Sequence, residues 1–175
     1  MKSLLAMFAL CGVLLYAPIS QANPFAAMEI APLSGKVIAP EFTLPALDGV
    51  ESELADYRGN VVLLNFWATW CMPCLREMPG MEKLSQRFRG SDFVVLGISN
   101  DQPSHKKRVA TFLRRLNLTF PVLLDSDSDV SERYEVAGIP VSFLLDREGA
   151  VIAHIVGERE WGSQEAFDLI EHLLE

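Results

Sequence analysis

Cys71 and Cys74 are the residues in this chain whose types and spacing can do chemistry. On a helix, three positions put the second thiol about one turn below the first. It can then attack a mixed disulfide formed on its neighbour, and the pair can cycle between dithiol and disulfide without the fold moving. Two other readings share the motif. A CxxC can form part of a zinc or copper site, but zinc takes about four ligands. The third cysteine, Cys11, lies in a segment expected to be discarded, and His105, His154 and His172 are scattered. An inert structural disulfide is the other reading, and so small a loop would stabilise little.

The flanking sequence supplies the elements that must position the pair. Residues 61–66 form an apolar run, followed by Trp67-Ala68-Thr69-Trp70 and then Cys71-Met72-Pro73-Cys74. Leu75, Met78, Met81, Leu84 and Phe88 continue at three- and four-residue spacings, so the pattern is strand, tight loop, helix. Cys71 falls at the helix mouth, where free backbone N–H groups and the helix dipole favour negative charge. It is the expected nucleophile, and Cys74, deeper in the helix, the resolving thiol. Pro73 sits in the first turn, where its missing N–H is not needed. Resolution requires removal of the Cys74 proton. Glu77 lies three residues on, along the same face. If buried among apolar side chains, its pKa would rise towards neutrality and suit it to that transfer; otherwise it is an ordinary solvated glutamate. Trp67 reads as core and Trp70 as a wall of a substrate groove. Pro79 reads as a structural helix kink, and the charge of Arg76 is offset by Glu77.

The string from Asn65 through Cys74, NFWATWCMPC, resembles the thioredoxin superfamily, specifically the TlpA/ResA/CcmG-like branch of bacterial thiol–disulfide oxidoreductases. Gly138-Ile139-Pro140-Val141-Ser142-Phe143-Leu144-Leu145-Asp146 matches that branch's cis-proline segment and the strand after it. The resemblance covers about Ala39 to Leu174. It implies an α/β fold: a mixed central sheet flanked by helices, with an N-terminal β-hairpin and a central strand–helix insertion between the two motifs. It also implies that Pro140 is cis, with Ile139 beside the disulfide and its backbone free to pair with an extended partner; a trans loop proline is the alternative. Glu77 matches the glutamate that TlpA-like proteins carry near their cysteines. Asn65 stands where plain thioredoxin keeps a buried aspartate, and it cannot titrate. Two rivals are weighed. Peroxiredoxin-like folds place Thr or Ser three residues before the peroxidatic cysteine, whereas Thr69 lies two before Cys71. Copper-binding assembly relatives use CxxxC with a distant His, and the spacing here is CxxC.

Residues 1–22 combine Lys2, an apolar stretch over 4–17 and a small-x-small site at Ser20-Gln21-Ala22, the pattern of a cleaved signal peptide. An uncleaved N-terminal anchor is the alternative, although the stretch is shorter than the ~20 residues that span a bilayer. Residues 23–40 read as a tether or extended arm, and 41–175 as the thioredoxin-like domain. Without 1–22 the chain keeps 14 basic against 23 acidic side chains, a charge of −9, which argues against nucleic acid as partner. An exported CxxC enters an oxidising compartment, where it is either an oxidant or kept reduced by a dedicated donor. The expectation is a monomeric, cofactor-free reductase of protein disulfides, served by a membrane electron donor. Relatives suggest apocytochrome c or copper-site assembly as its setting.

Elsewhere, a hairpin is expected about Asp48-Gly49, and strands over 93–98, 120–124, 141–145 and 151–156. A short helix over 127–134 would start at Ser126 or Asp127, and a last helix at Ser163. A helix over 104–116 carries Val109, Phe112, Leu113 and Leu116 on one side. Its other side holds Lys106, Lys107, Arg108, Arg114 and Arg115, either a solvated face or a docking surface for an acidic partner. Trp161 and His154 read as structural.

Overall fold

A central strand buried on both sides organises the protein. The computed structural model describes residues 23–175; the signal-peptide or anchor reading of 1–22, with Cys11, lies outside the described residues. Strand β3 (Val61–Trp67) is buried at all seven positions, which is why its sequence reads as a continuous apolar run. It pairs in parallel with β4 (Phe93–Ser99), which pairs in parallel with β5 (Val122–Leu124). On its other side lie β6 (Val141–Leu145) and then β7 (Val151–Val156), both antiparallel to their neighbours. The sheet order is β5-β4-β3-β6-β7.

The two-residue period of β3 divides the core. Val61, Leu63 and Trp67 face a cluster built with α2 (Met72–Arg87), α3 (Lys106–Leu116) and α5 (Gln164–Leu174). Val62, Leu64 and Phe66 face a second cluster. This is covered by the hairpin β1 (Thr43–Pro45) and β2 (Glu51–Glu53) and by α4 (Asp129–Arg133). Gly49 closes the hairpin turn at a φ of +90°, a conformation open to glycine. A mixed sheet flanked by helices, with a leading hairpin and a β5–α4 insertion, is the architecture the resemblance implied.

Two local expectations are corrected. Residues 23–40, expected as a tether or an extended arm, are docked against the domain at both ends of the segment. Asn23 caps a one-turn helix, α1 (Pro24–Ala27), and Phe25, Met28 and Ile30 are buried in the α2–α5 cluster. The chain then runs beside β7, with bridges from Pro32 to Ala153 and Ile38 to Ala150. An Asn-Pro start and one turn of helix are too short to show a period, but they suffice to seat three apolar side chains. The body of the protein therefore extends upstream of residue 41. The second correction concerns α4. Its N-cap is Ser128 at a φ of +67°, with no side-chain cap bond. Asp125 instead accepts the N–H groups of Val130 (3.1 Å) and Ser131 (2.8 Å) and the Ser131 hydroxyl (2.6 Å) from the end of β5.

Candidate active site

Helix α2 begins just beyond the end of β3, and Cys71 is its N-cap: Cys71 Sγ accepts the Cys74 N–H at 3.2 Å. The two cysteines form a disulfide. Cys71 is 5% exposed and Cys74 0%, so the sulfur that an incoming thiol can reach belongs to Cys71. Beside it, Trp70 and Met72 are among the most exposed large apolar side chains, at 58% and 63%. The Ile139 carbonyl oxygen lies 3.6 Å from Cys71 Sγ, and the Ile139–Pro140 peptide is cis. Cys71, Cys74, Ile139 and Pro140 thus form one cluster, with Trp70 on its solvent side.

Glu77 is on the buried side of α2, 4% exposed. Its Oε1 accepts from Asn65 Nδ2 at 2.9 Å, and its Oε2 from the Arg159 backbone N–H at 3.2 Å and Trp161 Nε1 at 3.3 Å. Burial raises its pKa from 4.5 to about 7. The three donors pull the other way, since each favours the charged form, and nearby Glu158 adds a smaller upward push. Asn65 also reaches Ser142 Oγ at 3.0 Å, so the carboxylate is wired across the sheet to the strand that follows Pro140. Arg76 is exposed and paired with Glu158.

Two further groups were not visible as site residues in the sequence. Trp161, read there as structural, is fully buried and donates to Glu77. Its seat depends on a close backbone approach, for a Cβ on Gly80 would lie 2.8 Å from Gly162 N. Glycines facing each other at 80 and 162 are the signal that could have pointed there. Asp101, 1% exposed, anchors the loop before Cys71. It accepts the Thr69 N–H at 2.8 Å, the Thr69 hydroxyl at 2.6 Å and the Ser99 hydroxyl at 3.0 Å. Parallel pairing of Trp67 with Ser99 brings the two loops together, a relation that sequence spacing does not reveal. Trp67 is fully buried as expected, and His154 stacks on Phe143 with ring centroids 4.7 Å apart. Among the described residues, no group of three or more His, Cys, Asp or Glu side chains converges as metal ligands would.

A dithiol/disulfide pair at a helix N-terminus, with one sulfur accessible, can exchange with an external disulfide. The profile of the AhpC/TSA family matches residues 36–154. The chain belongs to the AhpC/TSA family. Among curated members it is similar to the thiol-disulfide oxidoreductase ResA of Geobacillus thermodenitrificans, 42% identical over 119 residues, covering 68% of this chain and 67% of that protein. It is likewise similar to ResA of Bacillus thuringiensis, at 37% identity over 69% of each chain. A crystal structure of a putative thiol:disulfide interchange protein DsbE from Chlorobium tepidum superposes with a TM-score of 0.72 at 31% identity. That match spans 82% of this chain and 99% of the other. Within the AhpC/TSA family, the Cys71–Cys74 pair makes this chain a thiol–disulfide oxidoreductase.

Proposed function

We propose that this protein is an exported reductase of protein disulfides, with Cys71 as nucleophile, Cys74 as resolving thiol and Glu77 as proton acceptor. The observation that carries the reading is Cys71 Sγ at the mouth of α2, accepting the Cys74 N–H and lying beside the Ile139 carbonyl. The N–H bond and the helix dipole favour a thiolate on Cys71. That thiolate attacks one sulfur of the substrate disulfide; a Cys71–substrate bond forms, and the first substrate sulfur leaves as a thiolate. Cys74 is fully buried, so its ionisation needs an acceptor close by, and a carboxylate with a pKa of about 7 is matched to that task. The Cys74 thiolate then attacks Cys71 Sγ. The second substrate thiolate leaves, the Cys71–Cys74 disulfide closes, and two electrons have passed to the substrate. Trp70, Ile139 and Pro140 line the approach, with the Ile139 backbone offered to an extended chain.

Export rests on the leader-like residues 1–22, as a cleaved signal peptide or an inner-membrane anchor. In an oxidising compartment a reductase must be recharged, so a membrane-borne dithiol donor is part of the proposal, as is a monomeric working state. The peroxidase alternative gains nothing from Thr69, whose hydroxyl and N–H are both committed to Asp101.

The test is catalysed reduction of insulin disulfides by the purified protein with dithiothreitol as electron source. The rate should exceed the dithiothreitol background, and Cys71→Ser should abolish the excess. Stoichiometric tight binding of zinc or copper by the reduced protein, without disulfide exchange, would overturn the reading.

A further inference from the structure

A groove of about 600 Å³ lies beside the active site, with Thr69 and Leu75 on one side and α3 on the other. Leu75, Phe112 and Leu116 give it a half-buried apolar lining, and Lys107, Arg108 and Arg115 are exposed along it. Arg108 donates to the Thr69 carbonyl at 3.4 Å, so the groove joins the loop that ends two residues later at Cys71.

Three of the five charges on α3 are placed against the stability of the helix, whereas Arg114 and Arg115 lie in its last turn, where the dipole favours cations. Lys106, Lys107 and Arg108 open it, with no acidic residue in its first turn. The dipole favours carboxylates there and disfavours cations. Among the described residues, none of Lys106, Lys107, Arg108, Arg114 or Arg115 takes part in an ion pair. Five unpaired cations within ten residues stand out on a chain whose net charge is −8. Such a cluster is complementary to negative charge supplied from outside.

We propose that this groove docks an acidic, extended segment of the partner protein whose disulfide meets Cys71. The proposal rests on the disulfide-exchange reading of that cysteine. Arg108 and Arg115 are two helical turns apart, roughly 10 Å along the axis, a distance an extended chain covers in about three residues. The occupant therefore carries carboxylates about three positions apart with an apolar side chain between them for Phe112. Because Thr69 belongs to the groove, that segment lies close in sequence to the partner's cysteine.

The test compares two disulfide peptides that differ only in Glu or Gln at two such positions near the cysteine. Hydroxyethyl disulfide, which is small and neutral, serves as a control. At low ionic strength the wild type should reduce the Glu peptide with a kcat/KM about tenfold above the Gln peptide, and the gap should close near 1 M salt. The double variant Lys107→Glu/Arg115→Glu should reverse the preference while reducing hydroxyethyl disulfide at the wild-type rate. Equal rates on the two peptides in the wild type, or a preference that survives charge reversal, overturn the docking site. Failure to reduce hydroxyethyl disulfide at all would instead strike the underlying redox reading.

Discussion

Glu77 and Asp101 are both carboxylates sealed from solvent, at 4% and 1% exposure, and both sit against the segment that carries Cys71. They are held in different ways. Asp101 takes short bonds from the backbone and hydroxyl of Thr69 and the hydroxyl of Ser99, at 2.6 to 3.0 Å. Glu77 takes longer ones from Asn65, Arg159 and Trp161, at 2.9 to 3.3 Å. For Glu77, desolvation outweighs its donors and the group titrates near neutrality. In the proposed mechanism burial of an acid serves two ends: Asp101 fixes where the loop runs, and Glu77 keeps a proton exchangeable at the helix that holds the thiols.

Three experiments would break or sharpen that contrast. Asp101→Ala leaves an N–H and two hydroxyls without their acceptor, and should cost about 4 kcal/mol in urea unfolding. The pH dependence of disulfide exchange should keep its midpoint near 7. A loss below ~1 kcal/mol, or a moved midpoint, would end the view of Asp101 as a strut.

The second concerns stability against pH in the oxidised protein. Folding raises the Glu77 pKa from 4.5 to about 7, so between those values the native state holds a proton that the unfolded chain has lost. This contribution is fully present below pH 4.5 and fades as pH rises through 7, by at most about 3 kcal/mol. Urea midpoints measured from pH 4 to 9 should show the decline, and Glu77→Gln should flatten it. An identical slope in the variant would assign the proton to another group.

The third is kinetic. Glu77→Gln keeps shape and hydrogen-bonding capacity but cannot titrate, and resolution of a mixed disulfide on Cys71 should slow about 10²-fold, equivalent to about 2.7 kcal/mol. Wild-type rates across the range from pH 5 to 9 would send the proton route elsewhere.

What the sequence made legible were the parts whose signal is local. The β3 run, the cysteine spacing and the helical period from Leu75 to Phe88 each declare themselves within a few residues, whereas the Ile139-Pro140 segment was legible only through its resemblance to the family's cis-proline motif. Glu77 was legible as a candidate because it shares a helix with Cys74. Its partners were not, since Arg159 and Trp161 follow it by 82 and 84 residues and meet it only once α2 and the segment before α5 pack at Gly80 and Gly162. Asp101 was hidden for the same reason, 32 residues from Thr69 and joined to it by strand register. The docking of segment 23–40 was not legible because one turn of helix and two isolated bridges leave no periodic trace.

The coverage of the sheet bears on how the chain is assembled. Both outer strands are touched by residues from the beginning of the described chain: Pro32 bridges to Ala153 on β7, Ile38 to Ala150 just before it, and Ala46 to Leu123 on β5. An open strand edge invites pairing with another molecule, and covering it is a defence against aggregation. Here the cover is made first and used last, because Ile38 must wait for Ala150, 112 residues later. Contacts of such long sequence separation form slowly. The β5 margin can be covered once Leu123 is made, but the opposite margin stays bare until the C-terminal strands are in place, so a newly made chain is most prone to self-association there when it is nearly, but not quite, complete.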